Sequence, residues 1–108
     1  MNEVYFCFED TPFILSNQAL HIDWIFNFLK DHNRKCGTLT YIFCSDTYLL
    51  AMNKEHLNHD YFTDIITFNY VQDEVVNGDI FISIDRVKDN SKKFQCSFAE
   101  ELRRVMAH

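Results

Sequence analysis

Residues 63–84, TDIITFNYVQDEVVNGDIFISI, contain the two runs that decide the fold class. Residues 64–70 and residues 79–84 are rich in β-branched and aromatic side chains, which favour strands. The acidic segment between them, residues 71–78, contains a glycine, so the two runs predict an antiparallel hairpin. A sheet therefore lies at the centre of the chain, and the remaining segments supply its other strands and the helices that cover it.

The first third of the chain predicts a strand followed by a helix. Residues 4–8 are a short aromatic and β-branched run, typical of a strand. Apolar residues then recur at three- and four-residue spacing from residue 18 to about residue 33, which predicts a helix. Ser16 or Asn17 is available as its N-cap, and Gly37 marks a point by which it has ended.

The middle of the chain predicts a second strand and two further helices. Residues 38–45 are dense in β-branched and aromatic side chains, and Asp46 is placed to cap a short helix after them. The polar residues 53–61 predict a loop. After the hairpin, Asp85 is placed to cap a helix that extends to about residue 94.

The last helix has the clearest start signal. Ser97 and Glu100 form a capping box, in which each side chain accepts from the other residue's backbone N–H. The order β-α-β-α-β-β-α-α predicts one α+β domain over residues 1–108, a four-stranded mixed sheet with helices packed on it. No glycine or asparagine ends the last helix before His108, so we expect the natural sequence to continue. The apolar face of this helix is Phe98, Leu102, Val105 and Met106.

Composition excludes several classes of protein. The 108 residues are 47% hydrophobic with two glycines and one proline, which excludes a disordered or collagen-like chain. The formal charge of −6 offers nucleic acid no global attraction. Four cysteines without a CxxC pair indicate reduced, mostly buried thiols. No basic leader or membrane-length apolar run is evident, so we expect a cytoplasmic protein that does not bind membranes.

Several short motifs occur in a fixed order along the chain. TDIITF at residues 63–68 precedes a Gly-Asp-Ile strand, which precedes a helix ending Met-Ala-His at His108. This ordered set resembles the YbeY family of rRNA maturation factors, over nearly the whole chain. The other motif positions, which the sequence leaves as either cleft or structural residues, are Asn53, Thr63, Asp64, Gly78 and Asp79.

The resemblance implies a zincin-like fold and a metal-dependent endoribonuclease. The family's three histidines bind a catalytic metal, usually taken as zinc, which activates water to cleave single-stranded RNA. His108 matches the first of these ligands and would be the catalytic and metal-binding residue; the other two would lie beyond it. We therefore expect these 108 residues alone to be inactive and to hold no tight zinc site. The implied partners are ribosomal RNA and the ribosome or its proteins, with no DNA.

The sequence departs from the family pattern in the polar loop. Leu57 stands where some members place an arginine that serves cleavage, so no arginine is assigned to catalysis. His56 and His59 occur in the same loop, from which we expect that they can approach a substrate.

Basic residues are concentrated near the end of the chain. Residues 86–108 contain six basic and three acidic residues, whereas residues 1–85 contain four basic and thirteen acidic residues. Such a local patch can contact an RNA backbone despite a negative total charge, although helical charges are also commonly a solvated face. The candidate RNA-binding residues are Arg86, Lys88, Lys92, Lys93, Arg103 and Arg104.

Two alternative functions stay open at this point. Two helical histidines four residues apart also occur in zinc peptidases, which place a glutamate directly after the first. A non-catalytic assembly module would bind RNA or ribosomal protein through the basic helices without cleaving it. Gly78 is interpreted as a structural turn residue before a strand, whereas the sequence leaves the role of Asp64 undecided.

Overall fold

The computed structural model describes residues 3–57 and 63–107, which form strands and helices in the predicted order. The strands are β1 (Glu3–Glu9), β2 (Lys35–Cys44), β3 (Ile65–Gln72) and β4 (Val75–Ser83). The helices are α1 (Gln18–Asp31), α2 (Asp46–Leu57), α3 (Ile84–Lys93) and α4 (Phe98–Met106).

The four strands form one mixed sheet in the order β1-β2-β4-β3. Strand β2 is parallel to β1 and to β4, and β3 is antiparallel to β4. The α+β class and the mixed sheet are therefore confirmed. Helices in the described part of the chain lack the length and apolar run that crossing a bilayer needs.

Alternation along β2 divides the apolar side chains between the two faces of the sheet. Leu39, Tyr41 and Phe43 belong to the main core, which also contains buried residues of α1, α3 and α4. Cys44 belongs to a smaller cluster with Leu49 of α2 on the opposite face. Three helices therefore cover one face of the sheet, and α2 covers part of the other.

The turn of the hairpin is shorter than the loop over residues 71–78 that the sequence predicted. Gln72 pairs with Val75, so only Asp73 and Glu74 form the turn, with φ values of 51° and 68°. Positive φ at both central residues is the signature of a type I′ turn, which matches the twist of the flanking strands. The turn prediction for Gly78 is wrong, because this residue lies inside β4 with φ 154°.

Serines cap the two helices for which the sequence favoured aspartates. Ser45 Oγ accepts from the backbone N–H three residues on at 3.1 Å, and Ser83 Oγ does the same at 3.2 Å. Asp46 and Asp85 lie in the first turns of α2 and α3 instead. Both cap predictions are wrong, because the two carboxylates bind partners in other elements. The Asp85 carboxylate, for example, accepts from the Asp46 backbone N–H at 2.9 Å.

The boundaries of α1 and α2 also differ from expectation. Asn17 is the N-cap of α1 in the left-handed region, but its side chain makes no capping hydrogen bond; His32 is the C-cap. Helix α2 continues to Leu57, so the first part of the predicted loop at residues 53–61 is helical. The rest of that prediction lies outside the described residues.

Gly37 does not follow the end of α1 directly but lies within β2, at an irregularity in the pairing with β4. The Asn77 Oδ1 atom accepts from the Thr38 backbone N–H at 2.9 Å. A Cβ at Gly37 would lie 2.2 Å from that same oxygen, which is closer than contacting atoms allow. Glycine therefore makes room for the amide that bridges the two strands.

The four cysteines are free, as expected, but they differ in burial. Cys36 and Cys44 are buried, whereas Cys7 is exposed. Burial, helped by nearby carboxylates, raises the pKa of Cys44 to about 12, so this thiol stays protonated at neutral pH.

Candidate functional site

Helix α4 brings the end of the described chain onto the sheet. Its capping box is confirmed: Ser97 Oγ accepts from the Glu100 backbone N–H at 3.1 Å, and the glutamate carboxylate accepts from the Ser97 N–H at 3.4 Å. The predicted apolar face is also confirmed, since Leu102, Val105 and Met106 are buried. The helix is therefore fixed at its start by the box and along its length by core packing.

A buried hydroxyl fixes the other end of α4. Tyr41, in the middle of β2 and only 4% exposed, donates its phenolic O–H to the Met106 carbonyl at 3.2 Å. Carbonyls in the last turn of a helix lack a partner within the helix, so this bond satisfies one of them. Burial raises the pKa of Tyr41, which keeps the hydroxyl protonated as a donor.

A cleft of about 110 Å³ lies between α1, the sheet and the end of α4. Met106 and Ala107 line it on one side, and Thr67 of the TDIITF segment lines it from β3. His108, the residue after Ala107, lies outside the described residues. The structure thus brings one motif segment next to the last residues before His108. The other lining residues are Trp24, Ile25, Phe28, Leu29, Leu39, Tyr41, Val76 and Ile80.

The remaining motif residues do not form a single cluster. Asp64 directly precedes Ile65, which pairs with Ile82, whereas Asp79 pairs with Phe68 nearer the other end of β4. Asp64 is therefore aligned with Ser83, four residues from Asp79 along the strand, or about 13 Å. The two aspartates cannot act on the same substrate atom.

Thr63 and Asp64 make local structural bonds. Thr63 Oγ1 donates to the Ile65 carbonyl at 3.4 Å, and the Asp64 carbonyl accepts from the Ser83 N–H at 2.9 Å. The Asp64 carboxylate is 3.5 Å from the Arg104 guanidinium on α4. Asn53 is buried in α2 at 2% exposure, and Asp79 is exposed.

Comparison with known proteins decides the family. The family model described as Endoribonuclease YbeY matches residues 12–108. The endoribonuclease YbeY of Flavobacterium johnsoniae is 46% identical over 99 residues, which cover 92% of this chain and 71% of that protein. That of Cytophaga hutchinsonii is 47% identical over 108 residues, covering 97% and 74% respectively. The chain belongs to the endoribonuclease YbeY family.

A solved structure supports the fold independently. The solution structure of TM1509 from Thermotoga maritima aligns with a TM-score of 0.65 at 20% identity, covering 95% of this chain and 67% of that one. The YbeY family match favours the nuclease interpretation over the zinc peptidase that the histidine spacing left open.

Two of the six candidate RNA-binding cations of this YbeY chain are engaged by carboxylates. Arg86 Nε lies 3.1 and 3.0 Å from the two Asp46 carboxylate oxygens, and its guanidinium also pairs with Asp89. Arg104 donates to both Glu101 oxygens, at 2.8 and 2.7 Å. The other four, Lys88, Lys92, Lys93 and Arg103, are exposed.

The partner of Arg104 is a buried acid. Glu101 is 1% exposed and lies on the core face of α4, a position the sequence did not single out. The hydrogen bond from Arg104 lowers the pKa of Glu101, so the carboxylate stays charged inside the core. The pair lies within α4, and the contact between Arg104 and Asp64 links this helix to the start of β3.

The described residues do not supply a metal site on their own. Within residues 3–57 and 63–107, no group of three or more histidine, cysteine, aspartate or glutamate side chains can hold a metal ion. His59 and His108 lie outside the described residues, and the side chains of His56 and Leu57 are not described. Three imidazoles suit zinc chemically, but only one of the implied three is present in this sequence.

Three residues of the cleft were missed by sequence reasoning. Thr67 belongs to the TDIITF motif but is not among the predicted site residues, although alternation along β3 places it on the same face as Ile65. Tyr41 and Trp24 looked like ordinary core residues. Nothing local in the sequence indicates that Tyr41 reaches the end of α4, because the two are 65 residues apart.

Proposed function

We propose that this chain forms the scaffold and RNA-binding surface of a zinc-dependent endoribonuclease that cleaves single-stranded RNA during rRNA maturation. The observation that carries the proposal is the cleft in which Thr67 of the TDIITF segment lies beside Ala107, next to His108. The name and similarity of the relatives support the reaction class.

The chain's own residues have structural and binding roles in this proposal. The Tyr41 hydrogen bond and the Arg104–Asp64 ion pair hold α4 against the sheet, so that its C-terminal turn stays at the cleft. Exposed Lys88, Lys92 and Lys93 on α3 contact the RNA backbone. When bound by His108 and further histidines, zinc would supply a water of lowered pKa and stabilise charge on the phosphate.

Ribosomal RNA and the ribosome or its proteins are the proposed partners, and the cytoplasm is the proposed location. The substrate class supports both, because ribosome maturation in bacteria takes place there. Four free thiols also suit a reducing compartment.

The test uses the product of the complete reading frame that contains these 108 residues. We expect it to cleave a labelled single-stranded RNA and to leave the same RNA intact when it is annealed to its complement. His108→Ala should abolish both cleavage and stoichiometric zinc binding. Cleavage that persists in His108→Ala, or in a strong chelator, would overturn the proposed site.

A matched control separates loss of the ligand from loss of the fold. Thr47→Ala removes an exposed side chain on α2, which covers part of the face of the sheet opposite the cleft. We expect this variant to retain cleavage and zinc binding. Both variants should keep the unfolding midpoint of the parent protein, measured by circular dichroism.

A further inference from the structure

Helix α1 has an aromatic stripe that packing of the core does not fully explain. His21, Trp24, Phe28 and His32 follow one another at spacings of three, four and four residues, which places them on one side of a helix. The side chains of the first three are half-buried, and His32 is exposed. We call these four residues the α1 stripe.

Three rings of the stripe, those of Trp24, Phe28 and His32, follow one another in contact. The centroids of Trp24 and Phe28 are 5.8 Å apart, and those of Phe28 and His32 are 4.4 Å apart. The His32 Nδ1 atom lies 2.9 Å from the Phe28 carbonyl, which fixes the imidazole over the neighbouring ring. The three rings therefore lie in one row along α1.

The α1 stripe borders two adjoining cavities. Trp24 and Phe28 line the cleft of about 110 Å³ opposite Thr67 and Ala107. His21 and Trp24 line a second cavity of about 200 Å³, which Arg103 of α4 also lines. The aromatic surface thus runs from an exposed cation on α4 to the residues next to His108.

We propose that the α1 stripe is a stacking track for the bases of single-stranded RNA, with Arg103 binding a phosphate and one base entering the cleft beside Ala107. This inference rests on the proposed function, because it takes RNA as the substrate. Aromatic side chains bind unstacked bases through their faces, whatever the base. Thr67 adds a hydroxyl that can donate to or accept from the edge of a base.

The track would also favour single-stranded RNA over a duplex. Bases in a duplex are already stacked on each other and cannot lie against Trp24 or Phe28. Burial in the second cavity, with the charge of Arg103 nearby, lowers the pKa of His21. At neutral pH the imidazole is therefore uncharged and suited to stacking, while the positive charge stays on the guanidinium.

Trp24 is the only tryptophan in the chain, so its fluorescence reports directly on the track. The experiment titrates the 108-residue chain with single-stranded oligoadenylate and with the same strand annealed to its complement, in a chelator that prevents cleavage. We expect saturable quenching by the single strand and little by the duplex. The RNA dissociation constant is measured in parallel from the anisotropy of a labelled strand.

Two variants test the stripe itself. Phe28→Leu keeps an apolar side chain but removes the stacking face, and we expect it to weaken RNA binding roughly 5- to 100-fold. Tyr5→Leu is the matched control, because Tyr5 is 49% exposed on β1 and alternates with the core-facing residues of that strand. Its binding should equal that of the parent chain.

The outcomes separate this inference from the proposed function. RNA binding or cleavage with unchanged Trp24 emission, or equal affinities for Phe28→Leu and Tyr5→Leu, would overturn the track and leave the nuclease intact. Quenching by an apolar peptide but not by RNA would also overturn it. Quenching by single-stranded RNA, with no cleavage by the complete gene product, would support the track and contradict the nuclease.

Discussion

Glu101 is a buried carboxylate whose charge depends on the cation Arg104. A carboxylate at 1% exposure loses nearly all its hydration, so it needs a partner of opposite charge. Arg104 supplies that partner with two hydrogen bonds and remains half-exposed itself. Removing Arg104 leaves the buried Glu101 carboxylate without its partner of opposite charge. Removing Arg103, the residue before it, does not.

We therefore expect Arg104→Met to lower the free energy of unfolding by roughly 2–4 kcal/mol. Arg103→Met is the control, since Arg103 is exposed on the same helix and its loss should change the free energy by less than about 0.5 kcal/mol. Urea denaturation measures both. Equal effects of the two substitutions would show that Glu101 does not depend on this partner.

The same pair predicts an acid-sensitive contribution to stability. The folded-state pKa of Glu101 lies below its ordinary value of 4.5, so the folded chain binds this proton more weakly than the unfolded chain. The contribution is complete above that ordinary pKa and is lost as the pH falls through the lower, folded-state value. Urea midpoints measured from about pH 6 to about pH 3 should fall less steeply in Glu101→Gln than in the parent chain.

Among the elements, the β3–β4 hairpin contains an unfavourable turn. Asp73 and Glu74 both have positive φ, which costs a residue with a side chain about 1 kcal/mol relative to glycine. We expect Glu74→Gly, which creates the Asp-Gly turn typical of type I′, to raise the free energy of unfolding by about 1 kcal/mol. Glu74→Ala relieves no φ strain and should give no gain in the same urea titration.

The order of elements could be predicted because periodicity, β-branching and capping are local properties. The capping box at Ser97 was correct for that reason. The caps at Asp46 and Asp85 were wrong because neither aspartate binds its own helix start. The Asp46 carboxylate instead accepts from Ser83, 37 residues away. Local sequence does not specify such a partner.

The candidate site was predicted less completely than the fold, for the same physical reason. The motif segments were found, but which of their residues meet depends on strand register and on how α4 crosses the sheet. Register places Asp64 and Asp79 apart, and helix packing brings Ala107 to the cleft that Thr67 also lines. The basic patch was predicted from the positions of cations along the sequence. Those positions do not indicate that Arg86 forms an ion pair with Asp46, 40 residues away.

At the scale of the whole molecule, the net charge of −6 opposes RNA binding, so the local cations decide it. We expect the double variant Lys92→Gln/Lys93→Gln to weaken binding of single-stranded RNA and to reduce the salt slope by about 1.4. Lys30→Gln/Lys35→Gln makes the same change in charge away from α3 and should leave the slope within about 0.5 of the parent. An equal reduction of the salt slope in both double variants would mean that RNA binding depends only on the total charge of the chain.

The position of β4 has a consequence for the chain while it is being made. β4 is an inner strand that pairs with β2 and β3, yet it is the last of the four strands to be synthesised. Until it arrives, a nascent chain that has paired β1 with β2 displays an open apolar edge, and β3 has no neighbour. Because the two-residue turn after Gln72 brings β4 back beside β3, Glu74→Gly should raise the yield of folded protein in the cell as well as its stability.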